Sequence, residues 1–206
     1  MPPRFAPVDA VVFDVGKVLV RWERHRPFER EFATRAELDH FLETVIPLDW
    51  HFEHDAGRPA AEMVAQRSAR FPAHARLIAA WFERFLETLP GPVPGSPAIV
   101  AELAARGLPL YAITNFGPDT WAQFAPTFAT LAHFRDIVVS GHERLTKPDA
   151  AIYHLAARRF GHAPERMLFV DDSLANVEAA RALGWQAHHF QDAPTLRAEL
   201  VARGLL

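Results

Sequence analysis

The sequence predicts an α/β protein: a doubly wound, Rossmann-like parallel sheet with an inserted, all-helical cap. Three observations predict it. Short apolar segments rich in branched and aromatic residues recur along the chain, helical stretches separate them, and one long interval carries helical periodicity alone.

The strand segments are AVVFD (10–14), LPLYAIT (108–114), DIVVS (136–140), MLFVD (167–171) and WQAHHF (185–190). The first four are near-continuous apolar runs, the pattern of parallel strands covered on both faces. Helical stretches at 96–106, 149–160 and 173–183 stop at Gly107, Gly161 and Gly184, and a last one at 194–203 stops at Gly204. Glycine tolerates the left-handed backbone that closes a helix, so each marks a helix end. Strands alternating with helices through right-handed crossovers give the doubly wound sheet.

Between the first two strands the alternation fails. Residues 22–45, 58–70 and 73–89 show amphipathic helical spacing, with Phe28, Phe41, Ile78, Trp81 and Phe85 among the apolar contributors. PGPVPGSP (90–97) then punctuates the return to the sheet. Residues 1–19 and 93–206 are expected to form the α/β core, and residues 20–92 a helical insertion standing over it.

Composition bounds the function. A chain of 206 residues can bury a sizeable core. Its net charge of −3 gives no electrostatic reason to expect nucleic acid. The mixed charges of residues 21–30 read as a solvated helix face. With no cysteine, disulfides and thiol catalysis are excluded. No apolar run is long enough to span a bilayer and no signal-like segment opens the chain, so no membrane partner and a cytoplasmic location are expected. Nothing in the sequence speaks to oligomeric state.

Four strand segments end in a polar group: Asp14, Thr114, Ser140 and Asp171. In a doubly wound sheet the C-terminal strand ends form the crevice where ligands bind. Gly16 is expected to let the chain turn sharply beside Asp14. Each group also has a structural explanation. Asp14 can close an Asx-turn, and Thr114 with Asn115 can cap the helix that begins near Pro118. Lys147, in LTKPDAAIY, can be an ordinary surface lysine, although a helix N-terminus disfavours a cation. Asp171, Asp172 and Ser173 can cap the helix that follows, but adjacent carboxylates repel each other and a cation would relieve them.

In this order, these residues resemble the haloacid dehalogenase superfamily of hydrolases. FDVGKVLV resembles its first motif, AITN its second, TKPD its third and FVDDSLANVEAA its fourth; the resemblance covers the whole chain. LDWHFEHDAGRPAAE (48–62) resembles the small helical cap of the phosphatase-like branch. The resemblance implies a Mg²⁺-dependent phosphatase acting on a small phosphorylated substrate. Asp14 would be the nucleophile and carry an aspartyl-phosphate. Asp14, the Gly16 carbonyl and Asp172 would hold Mg²⁺, with Asp171 close by. Thr114 and the Asn115 amide would bind phosphoryl oxygens, and Lys147 would neutralise the developing charge. Asn176, one turn beyond the acid pair, either orients those acids or is an exposed helix residue.

The departure is at Gly16. Phosphatases of the family place a second aspartate there as general acid and base, and losing that help costs about 10²–10⁴ in rate. The sequence therefore points to leaving groups that need little protonation, such as those of sugar 1-phosphates, acyl phosphates or aryl phosphates. Lys17 either reaches the crevice as a substitute cation or, as lysines ordinarily do, packs its stem under the cap and points away. Trp22, Trp50, His51, His54 and Arg58 are the candidates for the cap's substrate-facing side. His51 and His54 lack a third ligand for zinc. His188 and His189 alternate across the last strand and read as structural.

Two other functions fit the same motifs. A 2-haloacid dehalogenase would use Asp14 on carbon and need neither Gly16's missing acid nor a metal. A non-catalytic domain would bind a phosphorylated ligand or serve as a scaffold.

Overall fold

In the computed structural model, which describes residues 6–206, five parallel strands lie in the order β3-β2-β1-β4-β5. They are β1 (Ala10–Phe13), β2 (Leu110–Thr114), β3 (Asp136–Val139), β4 (Met167–Asp171) and β5 (Gln186–His189). β1 is central: Phe13 is in register with Ala112 of β2 and with Val170 of β4. The chain winds outward from β1 in both directions, so the strand ends beside β1 form the crevice of a doubly wound sheet.

Successive strand residues face opposite sides. Val11, Phe13, Leu110, Ala112, Leu168 and Val170 belong to one buried cluster. Ala10, Val12, Tyr111, Ile113, Met167 and Phe169 belong to another, on the opposite face. Both faces are therefore covered, which is why the strands read as unbroken apolar runs.

Helices α1 (Arg35–Thr44), α2 (Leu48–Asp55), α3 (Ala60–Arg70) and α4 (Ala75–Glu83) precede β2, and no strand of the sheet lies among them. The chain leaves and rejoins the sheet through a neck. Val93 N–H donates to the Leu19 carbonyl at 2.9 Å, Arg21 N–H donates to the Gly91 carbonyl at 2.9 Å, and Val20 bridges Pro92. Phe28, Phe41, Trp81 and Phe85 of this segment join the same buried cluster as Phe13.

Three boundaries differ from expectation. Residues 22–34 hold only a 3-10 turn, Arg26–Phe28. Thr34 Oγ1 accepts from Glu37 N–H at 3.2 Å while Glu37 Oε2 accepts from Thr34 N–H at 3.0 Å, a capping box that starts α1 at Arg35. The charged stretch 21–30 is thus mostly not a helix face. The helix expected over 73–89 breaks after Glu83 and continues as a 3-10 turn, Phe85–Thr88. α2 was not expected as a separate helix; its eight residues begin just after Pro47.

Helix α5 (Ser96–Ala105) leads to β2, and α6 (Pro118–Phe124) and α7 (Ser140–Glu143) follow β2 and β3. Helices α8 (Ala150–Phe160), α9 (Leu174–Ala182) and α10 (Ala193–Ala202) complete the crossovers. Gly107, Gly161, Gly184 and Gly204 all take positive φ at the predicted helix ends. No helix among the described residues is long and apolar enough to cross a membrane.

Candidate active site

The C-terminal strand ends deliver three carboxylates to one point. Asp14 follows β1, Asp171 ends β4 and Asp172 follows it; a carboxylate oxygen from each lies within 4.8 Å of the others. Lys147, from the loop before α8, reaches between two of them, its Nζ 2.9 Å from Asp14 Oδ1 and 2.7 Å from Asp171 Oδ2. All three residues of that bridge are buried. Burial pushes the Asp14 carboxyl up from its usual range, with Asp171 and Asp172 adding to the shift and the Lys147 ammonium opposing it. The Lys147 ammonium is held charged by the two carboxylates against the same desolvation.

The surroundings fix this cluster. Asn176 on α9 donates to both oxygens of Asp171 at 3.1 Å, and Ser173 N–H donates to Asp171 Oδ1 at 2.8 Å. Asn176 is therefore an orienting residue rather than an exposed one. Asn115 pairs with the Lys147 backbone in both directions, Nδ2 donating to its carbonyl and Oδ1 accepting from its N–H, each at 2.9 Å. Sequence reasoning offered Asn115 a helix-capping role and a backbone amide contact; the helix is instead capped at Gly117 with no side-chain bond, and the Asn115 side chain positions the lysine loop. Thr114 is buried, does not line the cleft, and its Oγ1 has no hydrogen-bond partner among the described residues.

The turn after Asp14 is not made by Gly16. Gly16 has no positive φ, whereas Lys17 takes φ 59°, a left-handed conformation uncommon for a side-chain-bearing residue. Of the two readings of Lys17, the geometry matches the one that reaches the crevice. Lys17 lines the cleft, its Nζ 3.8 Å from Asp172 Oδ2 and 5.7 Å from the Trp22 ring centre. Its side chain is half exposed, so the pair is a weak one.

A cleft of about 540 Å³ opens above the carboxylates. Asp14, Gly16, Lys147 and Asp172 form its floor, and Trp22, His51, Phe52, Asp55, Phe85 and Leu89 from the segment between β1 and β2 form much of its wall. Trp22 Nε1 is buried without a partner among the described residues. His51 stacks on Trp22 with ring centres 5.4 Å apart and accepts from Trp81 Nε1 through its Nδ1 at 3.3 Å. Because an indole N–H only donates, the neutral His51 ring carries its proton on Nε2. Burial pushes His51 down to about 3, so the ring is neutral.

Three predicted wall residues lie elsewhere. Trp50 is buried against Phe82 and Arg67, away from the cleft. His54 is fully buried, its Nδ1 donating to the Arg58 carbonyl at 2.8 Å. Arg58 is tied to Glu53, Glu62 and Gln66 outside the cleft. His188 pairs with Glu199 at 2.7 Å, a structural role, while His189 Nε2 donates to the Asp172 carbonyl at 3.0 Å and so supports the acid loop.

Asp55, at the end of α2, was missed. It is a buried carboxyl in the cleft wall, pushed up to about 8 chiefly by desolvation, with a Gly117 N–H bond opposing and Asp14 adding. The available signal was its i,i+4 spacing from His51, whose Nε2 lies 3.7 Å from Asp55 Oδ2.

A carboxylate cluster at the strand ends with a lysine bridging two of its members suits a hydrolase of one class, and residues 8–184 match the family model of haloacid dehalogenase-like hydrolases. The chain belongs to that family. It is 33% identical over 117 residues to a phosphoserine phosphatase of Thermus thermophilus, covering 56% of this chain and 47% of the relative. It thus spans about half the length of that protein. A sesquiterpene phosphatase of Aspergillus oryzae is 27% identical over 184 residues, covering 89% of this chain and 90% of the relative.

The fold is shared with a family enzyme of Bacteroides thetaiotaomicron crystallised with magnesium and inorganic phosphate. The two align at TM-score 0.69 and 21% identity, over 90% of this chain and 95% of that one. It is shared equally with the L-2-haloacid dehalogenase of Xanthobacter autotrophicus, at TM-score 0.66 and 22% identity over 94% and 82%. The donor set of Asp14, Asp171 and Asp172 is all oxygen, which suits Mg²⁺ and not a thiophilic metal.

Proposed function

We propose that the chain is a Mg²⁺-dependent phosphomonoester hydrolase working through an aspartyl-phosphate on Asp14. The observation that carries this reading is the Lys147 ammonium within hydrogen-bond distance of both Asp14 and Asp171. Asp14, the Gly16 carbonyl and Asp172 would hold the metal, with Asp171 beside them. When bound, Mg²⁺ supplies Lewis-acid neutralisation of the phosphoryl oxygens.

The chain's own residues do the rest. Asp14 attacks phosphorus as a carboxylate. Lys147 opposes the burial that favours its protonated form and lies where negative charge builds in the transition state. The Asn115 amide would hold a phosphoryl oxygen, whereas the Thr114 hydroxyl is buried and does not line the cleft. Asn176 and Ser173 keep Asp171 aimed. Lys17, Trp22 and His51 are the groups from outside the strand ends that would contact the substrate.

The loop after Asp14 contributes no acid, so unless another cleft group protonates the leaving oxygen, the favoured substrates are small phosphorylated metabolites whose leaving oxygen needs less protonation than an alkoxide, such as sugar 1-phosphates. One observation favours an apolar member of that class: Trp22, Phe52, Phe85, Leu89 and Phe116 dominate the upper wall. The relative named as a sesquiterpene phosphatase is in keeping with such a wall.

The test is a panel of phosphorylated metabolites, including aryl, sugar and prenyl phosphates, assayed with Mg²⁺ and with EDTA beside Asp14→Asn. Turnover that needs both Mg²⁺ and Asp14 supports the proposal. Halide release from a 2-haloacid that survives EDTA would replace it with dehalogenation. No turnover, together with no fluoroberyllate adduct on Asp14, would replace it with a binding role.

A further inference from the structure

We propose that Asp55 is the acid–base residue of this site, handing its proton to the leaving-group oxygen in place of the carboxyl that Gly16 lacks. The inference rests on the aspartyl-phosphate reading above and deepens it.

Position carries the argument. In an in-line displacement the leaving oxygen lies on the side of phosphorus away from the nucleophile. Asp14 attacks from the strand ends, so the leaving group faces the wall built by the segment between β1 and β2. Asp55 is the carboxyl of that wall. It is also anchored from the sheet side: Ser140 Oγ, at the end of β3, donates to the Asp55 carbonyl at 2.5 Å, and Gly117 N–H bonds to the carboxyl. A general acid must be held within hydrogen-bond reach of the oxygen it protonates, and these two anchors hold Asp55 relative to the strands rather than to its own helix alone.

Its surroundings supply the proton. Asp55 is 5% exposed, and no lysine or arginine among the described residues pairs with it. The groups facing it are the neutral His51 on α2, the Gly117 N–H at the start of α6 and the Asp14 carboxyl. Each of these except the amide leaves the protonated form favoured, and a carboxyl kept up to about 8 carries its proton at neutral pH. The other cleft groups are less suited. Lys147 is committed to two carboxylates, His51 is neutral, and Lys17 is half exposed beside Asp172.

The proton balance closes. An Asp14 oxygen forms a bond to phosphorus as the P–O bond to the leaving group breaks, and the Asp55 proton passes to that oxygen, releasing the alcohol. Water then attacks the aspartyl-phosphate and gives one proton to the Asp55 carboxylate. Phosphate leaves, Asp14 is again a carboxylate, and Asp55 is again an acid.

The test compares the Mg²⁺-loaded full chain with Asp55→Asn on p-nitrophenyl phosphate, glucose 1-phosphate and n-butyl phosphate. An acid at Asp55 predicts a graded loss in kcat/KM: about tenfold or less with the nitrophenyl leaving group, and about 10²–10⁴ with butyl. Recovery of butyl phosphate turnover in Gly16→Asp/Asp55→Asn, where the carboxyl returns to the Asp14 loop, adds support. An equal loss on all three substrates, including complete loss, means a structural role and overturns the inference. Wild-type protein inert on all three, or an Asp14→Asn variant as active as wild type, instead overturns the aspartyl-phosphate reading beneath it.

Discussion

The ammonium of Lys147 sits 2.7 Å from Asp171 Oδ2, in a place where both side chains are removed from water. Asp14 shares the same ammonium at 2.9 Å, so one cation serves two buried carboxylates with Asp172 beside them. Removing that cation exposes the repulsion it masks. Lys147→Met is expected to lose about 3–5 kcal/mol of stability at neutral pH without metal, as for other broken buried pairs. The deficit should shrink toward acid pH, where the carboxyls protonate, and Mg²⁺ should raise the variant's Tm more than the wild type's. Thermal unfolding with EDTA and with Mg²⁺ at two pH values checks this; a deficit independent of both would refute it.

At Gly16 a Cβ would meet no heavy atom within 4 Å, and the backbone there is not left-handed. Nothing in the fold requires glycine. Gly16→Asp should therefore fold with nearly unchanged stability and place a carboxyl where the family's acid–base group resides. In an Asp55→Asn background, turnover of alkyl phosphates should then rise, by up to about 10²-fold if the new acid is well placed. Kinetics with butyl phosphate, normalised to p-nitrophenyl phosphate, gives the answer; a fall in that ratio would contradict it.

Asp55 also makes a prediction about stability. Its folded-state carboxyl is pushed up to about 8 from its ordinary 3.8, so the folded protein holds a proton that the unfolded chain has lost between those values. Unfolding free energy then falls as pH rises through that window, and the contribution is full below 3.8 and gone above about 8. His51, pushed down to about 3 from 6.5, acts in the opposite sense, raising stability as pH climbs toward 6.5. Asp14, raised to about 7, adds a slope of the same sign below that pH, so the Asp55 slope is read between pH 7 and 8. Asp55→Asn should flatten it, as read from Tm across that interval. An unchanged slope would mean that Asp55 is ionised in the folded protein.

The strand-end residues were legible because each is a polar break in an apolar run, and the sheet's topology gathers such breaks at one edge. Asp14, Asp171 and Asp172 meet for that reason, and Lys147 reaches them from the loop before α8. The helical segment was less legible. LDWHFEHD holds Trp50, His51, His54 and Asp55 within two turns, and composition does not say which face meets the cleft. At 3.6 residues per turn His51, Phe52 and Asp55 share one side, while Trp50 turns to Phe82 and Arg67. Asp55 was overlooked because its burial is tertiary: Ser140 and Gly117, from distant parts of the chain, create it. The left-handed turn fell on Lys17 rather than Gly16, which no local preference would suggest.

Gly117 has a further role as the socket for α2. A Cβ added there would lie 1.8 Å from His54 Cδ2 and 2.2 Å from Nε2. The ring cannot swing aside, because it is fully buried, packs edge-on against Phe82 at 4.9 Å and holds the Arg58 carbonyl through Nδ1. Gly117→Ala must therefore push α2 away from the start of α6, at a cost of about 1–3 kcal/mol for an overpacked contact. Asp55 follows His54 directly, so the same displacement moves its carboxyl off the Gly117 N–H and away from the leaving group. The variant should lose more kcat/KM with butyl phosphate than with p-nitrophenyl phosphate. Adding His54→Ala removes the obstructing ring, and the double variant should regain stability relative to the sum of the two single losses. Additive losses in that cycle would show that the two residues do not press on each other in solution.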